Sequence, residues 1–329
     1  MWSALLASLA LVAAPQTPGV AAQDADRLAD LIVDGRRIEE AARAFVEEIG
    51  APPPGNRTGR WNSAICISVT GMQERYARYL IDRVAIAALD NGVEVRGPGC
   101  RPNVIILATD DGPGLASHLV EEVGLGFRPV GGGPTNLRRP ALYHFRTSDA
   151  PIRWWHVTMP VEPSEGKVAV NFRGRDEPLG TERGVLDAPI IRVRDMSRMR
   201  SGIRYDIAWA IIIIDMSRTG GAPLGAVADY VALASLTQLD PFADMSGENT
   251  ILNLFEEDHA VDSLTDWDRA YLTALYSSLT DRATERQQIN DIVRRLTQVR
   301  GEAELDRLAE QGQSQDHPAP DGRLDFSQE

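Results

Sequence analysis

The chain has 329 residues, 43% of them apolar, which excludes a wholly disordered protein and supplies ample length for a buried core. A formal net charge of −13 argues against nonspecific nucleic-acid binding, which requires a basic surface. With only two cysteines, a cysteine-rich metal cluster is also excluded.

The first 22 residues read as a secretion signal. An apolar run extends from Trp2 to Ala14, and the small residues Val20-Ala21-Ala22 offer a cleavage point before Gln23. The run is shorter than the ~20 residues that span a bilayer. No later stretch is long and apolar enough for an integral span, so a periplasmic or secreted location is expected. The region before the apolar run lacks Lys and Arg, which is atypical of such signals.

Leu28, Leu31, Ile32, Ile38, Ala41, Ala42, Phe45 and Ile49 recur at helical spacing, and GAPPPGNRTG ends that helix. Residues 23–55 are therefore expected to form an N-terminal helix and Pro-rich linker. Residues 56–312 would form one α+β domain, a mixed β-sheet with packed helices, and 313–329 a disordered tail. A β-α-β unit opens the domain. The strand AICISVTG leads into a helix with Tyr76, Tyr79, Leu80, Val84, Ala85 and Ala88 on one face and Gly92 beyond its end. VEV and NVIILATD supply further strand character. Cys66 and Cys100 flank this unit. In an oxidising compartment they read as a disulfide between neighbouring sheet edges, the alternative being two buried thiols.

DDGPGLASHLVEEVG has the look of a phosphate loop, but it lacks the Walker pattern and places Asp110 and Asp111 where an anion would sit. His118 in that segment has no second His four residues on. PALYHFRTS, PIRWWHVTM, KVAVNF and APIIRVRD are strand candidates. Within PIRWWHVTM, Trp154 and His156 share a strand face, as core or as a ligand platform. From Arg138 to Arg204 thirteen basic residues stand against eight acidic ones. Arg138, Arg139, Arg153, Arg173, Arg192 and Arg194 are either scattered over the surface or form a patch for an anionic envelope ligand. RYDIAWAIIIIDMSR predicts a buried central strand, followed by a helix from Leu224 to Leu239 and a closing charged helix from about Asp281 to Gln311.

Between Asp229 and Tyr276 the order DYVALASLTQLDP, NTILNLF, LTDWDRAYLTALY has the layout of the catalytic half of a zincin metalloprotease, over residues 205–280. Zincins carry HExxH on a helix, so that two imidazoles four residues apart reach one Zn²⁺. Here the corresponding positions hold Asp229, Tyr230 and Leu233. Leu cannot ligate a metal, and neither a metal nor another cofactor is expected. The same order resembles an uncharacterised family of exported bacterial proteins and a related domain of unknown function in envelope lipoproteins. That domain's pattern is EELxQxLGLxND, a Ser-Ile-Phe-Asn-type turn, then LTxxDxxLLRxLYDP. Asp229, Tyr230, Leu233 and Asp240 fall at its first, second, fifth and twelfth positions. Thr250 to Phe255 match the turn and Leu264 to Tyr276 the final helix. The chain departs in having Asp-Tyr for two acids and Leu for Gln. The resemblance implies a fold and an exported location; it carries no activity.

Thr265 is a natural N-cap, with Asp266 and Asp268 in the first turn of the following helix. No GxSxG occurs, and His144 or His156 with Asp195 or Asp215 would have to be assembled from distant segments. The leading expectation is a non-catalytic envelope protein, a pseudoenzyme that binds an envelope or cell-wall component or serves a structural role. An exported hydrolase with an unrecognised site is the rival.

Overall fold

Strand β4 (Arg204–Asp215) organises the molecule, because its AIIII run is apolar on both faces. Ile212 and Ile214 enter one core and Ile211 and Ile213 the other, each at most 4% exposed. The computed structural model describes residues 36–50, 52, 56–123, 127, 138–163, 166, 197–256 and 261–316. Among these, four strands form one mixed sheet in the order β1-β2-β4-β3. Strands β1 (Ile67–Thr70), β2 (Val104–Thr109) and β4 run parallel, with Ile67 opposite Val104 and Val104 opposite Ala210. Strand β3 (Ile152–Val161) is antiparallel to β4, with Ile152 opposite Ile214 and a register shift after Val157. The α+β class holds.

Helices cover both faces. Helix α2 (Glu74–Asp90) crosses over between β1 and β2, burying Leu80, Val84, Ala87 and Ala88. It closes at Asn91, followed by Gly92 at φ 74°. That left-handed conformation suits glycine at a helix end. Tyr76 and Tyr79, predicted on the buried face, are more than a third exposed. On the same side of the sheet lie α1 (residues 36–49), α5 (Leu224–Leu236), α6 (Asp266–Ser277) and α7 (Glu285–Asp316). Phe45 of α1 packs on Trp267 and Tyr271 of α6, so the N-terminal helix is part of the main core. The opposite face carries α3 (Gly112–Val123) and α4 (Arg138–Thr147), with Phe127, Phe145 and Trp155 in contact.

Four further expectations change. PALYHFRTS, residues 140–148, read as a strand, is helical up to Thr147 in a helix that begins at Arg138. Ala141 and Phe145, four residues apart, are buried together, and Pro140 sits in the first turn, where its missing N–H costs nothing. The α5 helix stops at Leu236, and α7 runs from Glu285 to Asp316, into the segment expected to be disordered. VEV contributes only an isolated bridge, Ile65 to Val95. KVAVNF, APIIRVRD and the leader lie outside the described residues.

The Cys66–Cys100 disulfide forms, with Cα atoms 6.0 Å apart, joining the approach to β1 with the approach to β2. In the chain-entropy model a loop of this length contributes about 4 kcal/mol. No described helix is long and apolar enough to cross a membrane.

Candidate functional site

Helix α5 is buried along nearly its whole length, and its side chains are committed to three different neighbours. Asp229 faces α2. One carboxylate oxygen accepts from Arg83 Nε at 2.8 Å and from a second guanidinium nitrogen, and the other accepts the Leu264 N–H at 2.9 Å. Leu233, one turn on, is fully buried in the main core. Tyr230 instead turns toward a cleft, its ring 6.2 Å from Trp154 and 5.7 Å from Phe255. The two positions at zinc-ligand spacing thus face away from the cleft. Among the described residues no group of three His, Cys, Asp or Glu side chains is placed to hold a metal ion.

The turn beneath α5 is fixed by one carboxylate. Asp268 and Thr265 form a reciprocal capping box at the start of α6. Asp268 Oδ1 also accepts from Thr250 Oγ1 at 2.5 Å, and Oδ2 from the Ile251 N–H at 2.8 Å. The cap predicted from sequence therefore has a second role, pinning the 3-10 turn Ile251–Asn253 against α6. Burial pushes the Asp268 carboxyl up, and its hydrogen bonds pull it back part of the way.

Two adjoining cavities flank Tyr230, of about 280 Å³ and about 640 Å³. Ala150, Ile152, Tyr230, Leu252 and Glu256 line both. The smaller adds His144, Arg153, Trp154, Asp240, Asp244 and Asn253; the larger adds Arg218, the Gly220-Gly221 turn and Phe255. Asn253 Nδ2 donates to the Met245 and Glu248 carbonyls, both at 2.7 Å, which shapes the wall. His144 meets Phe242 edge-on at 5.1 Å. Burial, then the Arg153 charge, hold its pKa below the ordinary histidine value.

Trp154 and His156 share a face, as predicted, but have different surroundings. Trp154 is half-buried in the cleft wall and donates from Nε1 to the Leu239 carbonyl at 3.2 Å. His156 is sealed inside, its Nε2 2.7 Å from the Ala234 carbonyl, an arrangement in which Nε2–H donates. Burial pushes its pKa down to about 4. His156 therefore stays neutral in the fold while an unfolded histidine takes up a proton near pH 6.5. The associated stability is present above pH 6.5 and is lost as the pH falls toward 4, by about 3 kcal/mol. Urea unfolding at pH 7 and pH 4.5 checks this: His156→Asn should lose about 2.5 kcal/mol less over that interval than the unaltered protein.

The arginines do not form one described patch. Arg139 is exposed on α4, and Arg138 begins the same helix. Arg153 is 2% exposed and donates to the Phe145 and Ala150 carbonyls. Arg173, Arg192 and Arg194 lie outside the described residues, as does Asp195. The phosphate-like loop is already occupied by the chain's own carboxylates. Asp215 Oδ2 accepts the Gly112 N–H at 3.0 Å, and Asp111 Oδ1 accepts the Gly114 N–H at 2.9 Å. Asp215 also takes Ser217 Oγ at 2.6 Å and Arg218 Nε at 3.3 Å. His156 pairs with Ala210, five residues from Asp215 along β4, so these two do not meet.

Sequence reasoning missed Arg83 as the partner of Asp229, and Phe255 and Glu256 as cleft residues. The aromatic character of Tyr230, Trp154 and Phe255 was the one available signal, and their sequence separation hid the grouping. No protein-family model, curated protein or solved structure matches the chain.

Proposed function

We propose that the protein is an exported, non-catalytic binding protein of the cell envelope. It keeps the layout of a zincin, and the cleft beside Tyr230 serves as its binding site. The commitment of α5 carries this reading. Both oxygens of Asp229 are bound by Arg83 and the Leu264 N–H, and Leu233 fills the core, so neither is available to a metal. Strand, helix, turn and helix follow one another from β4 to α6 in the order expected of that layout. The disulfide supports an oxidising compartment. The cleft, concave and partly aromatic with a few polar groups, has the character of a ligand site.

Expression of the full chain in a bacterium, followed by osmotic-shock fractionation, N-terminal sequencing and a peptide-hydrolysis screen, tests the proposal. Periplasmic protein beginning at Gln23, oxidised at Cys66 and Cys100 and without hydrolysis above a heat-treated control, is the expected result. Cytoplasmic retention with free thiols, or peptide cleavage by the purified protein, would contradict it.

A further inference from the structure

The cleft has an unspent polar group at its centre. Tyr230 is only 7% exposed, yet its hydroxyl makes no hydrogen bond to any described residue, and its side chain lines both cavities. The ring is buried while the hydroxyl opens on the cavities, which leaves it free to accept from a bound group. On either side of it stand the rings of Trp154 and Phe255. Glu256 lines the same two cavities, close enough for its charge to act on the Tyr230 phenol.

The balance of charge around this point is negative. Arg218 is paired with Asp149 at 2.9 Å and Asp215 at 3.3 Å, and Arg153 lies against Asp215 beside Gly112. Asp240 and Asp244 engage only their own turns, accepting from the Phe242 N–H and from Ser246. Among the described residues neither they nor Glu256 have a cationic partner. Aromatic faces combined with an unpaired carboxylate attract an organic cation.

Building on the reading of this cleft as the binding site, we propose that it takes an alkylammonium group bearing N–H donors. The ammonium donates to the Tyr230 hydroxyl oxygen and the Glu256 carboxylate, which line both cavities, and its alkyl chain lies in the smaller cavity against the Trp154 ring. A free alkylamine and a lysine-type side chain on a peptide present the same group.

Calorimetric titration of the full mature chain at fixed ionic strength tests this, with n-butylammonium chloride and the capped peptide Ac-Ala-Lys-Ala-NH2 as probes. n-Butanol and Ac-Ala-Nle-Ala-NH2 are the neutral controls. The ammonium probes should bind and the neutral ones should not, and whichever ammonium probe binds more tightly identifies the source. Glu256→Gln should weaken binding about tenfold and Tyr230→Phe several-fold, with unfolding temperatures unchanged. Equal binding of charged and neutral probes, absence of binding, or binding indifferent to both variants would overturn the inference. If the neutral probes bind and Trp154→Ala abolishes that binding, the cleft remains the binding site and only its ammonium preference falls.

Discussion

Asp229→Ala should destabilise the protein by about 4 kcal/mol, although its side chain lines neither cavity beside Tyr230. The loss has two parts. The Leu264 N–H, buried at the entry to α6, would be left without an acceptor. Arg83 would lose its counter-ion, but its side chain is a third exposed and reaches water, which limits that part. In an Arg83→Ala background the same substitution should therefore cost about 1–2 kcal/mol less, a coupling that a double-mutant cycle in urea resolves. A loss below about 1 kcal/mol for Asp229→Ala would mean that the carboxylate is not tied into the core.

Asp268→Ala should cost more, about 5 kcal/mol, because one carboxylate serves Thr250, Ile251 and Thr265 together. Removing it strands two backbone N–H groups and separates the Ile251–Asn253 turn from α6. Asp268→Asn is the informative contrast. Its carbonyl can take the position of Oδ2 and accept both N–H groups, while its NH2 donates to Thr250 Oγ1. It also relieves the burial of a charge that raises the Asp268 pKa. The Asn variant should lose only about 1–2 kcal/mol. Equal losses for Ala and Asn, by chemical denaturation, would show that the charge itself is what the site needs.

These two aspartates also show what the sequence carried and what it hid. Asp268 was legible because its partner Thr265 is three residues away, and local capping chemistry has a sequence signature. The disulfide and the β4 strand were legible for similar reasons: two cysteines allow one pairing, and a run of four isoleucines fits a strand buried on both faces. Asp229 stood out by its place on α5, but its partner Arg83 lies 146 residues earlier on α2, and no spacing rule reaches that far. Helix α4 was misread because Pro140 and the aromatic residues around it are common to strands and turns, and only packing against Phe127 and Trp155 separates the alternatives. The cleft depends on Trp154, Tyr230 and Phe255, contributed by three separate elements. The order of strand, helix, turn and helix from β4 to α6 was visible, whereas the direction in which α5 aims each side chain was not.

Zinc content is the most direct discriminator, because the proposed role requires that α5 hold no metal. Mature protein purified without chelator, equilibrated with equimolar zinc and passed through a desalting column, should retain far less than one zinc per chain. Its unfolding temperature should not move when zinc is added. Stoichiometric zinc that is lost in the Asp229→Asn variant would contradict this, and would return the cleft to metal chemistry.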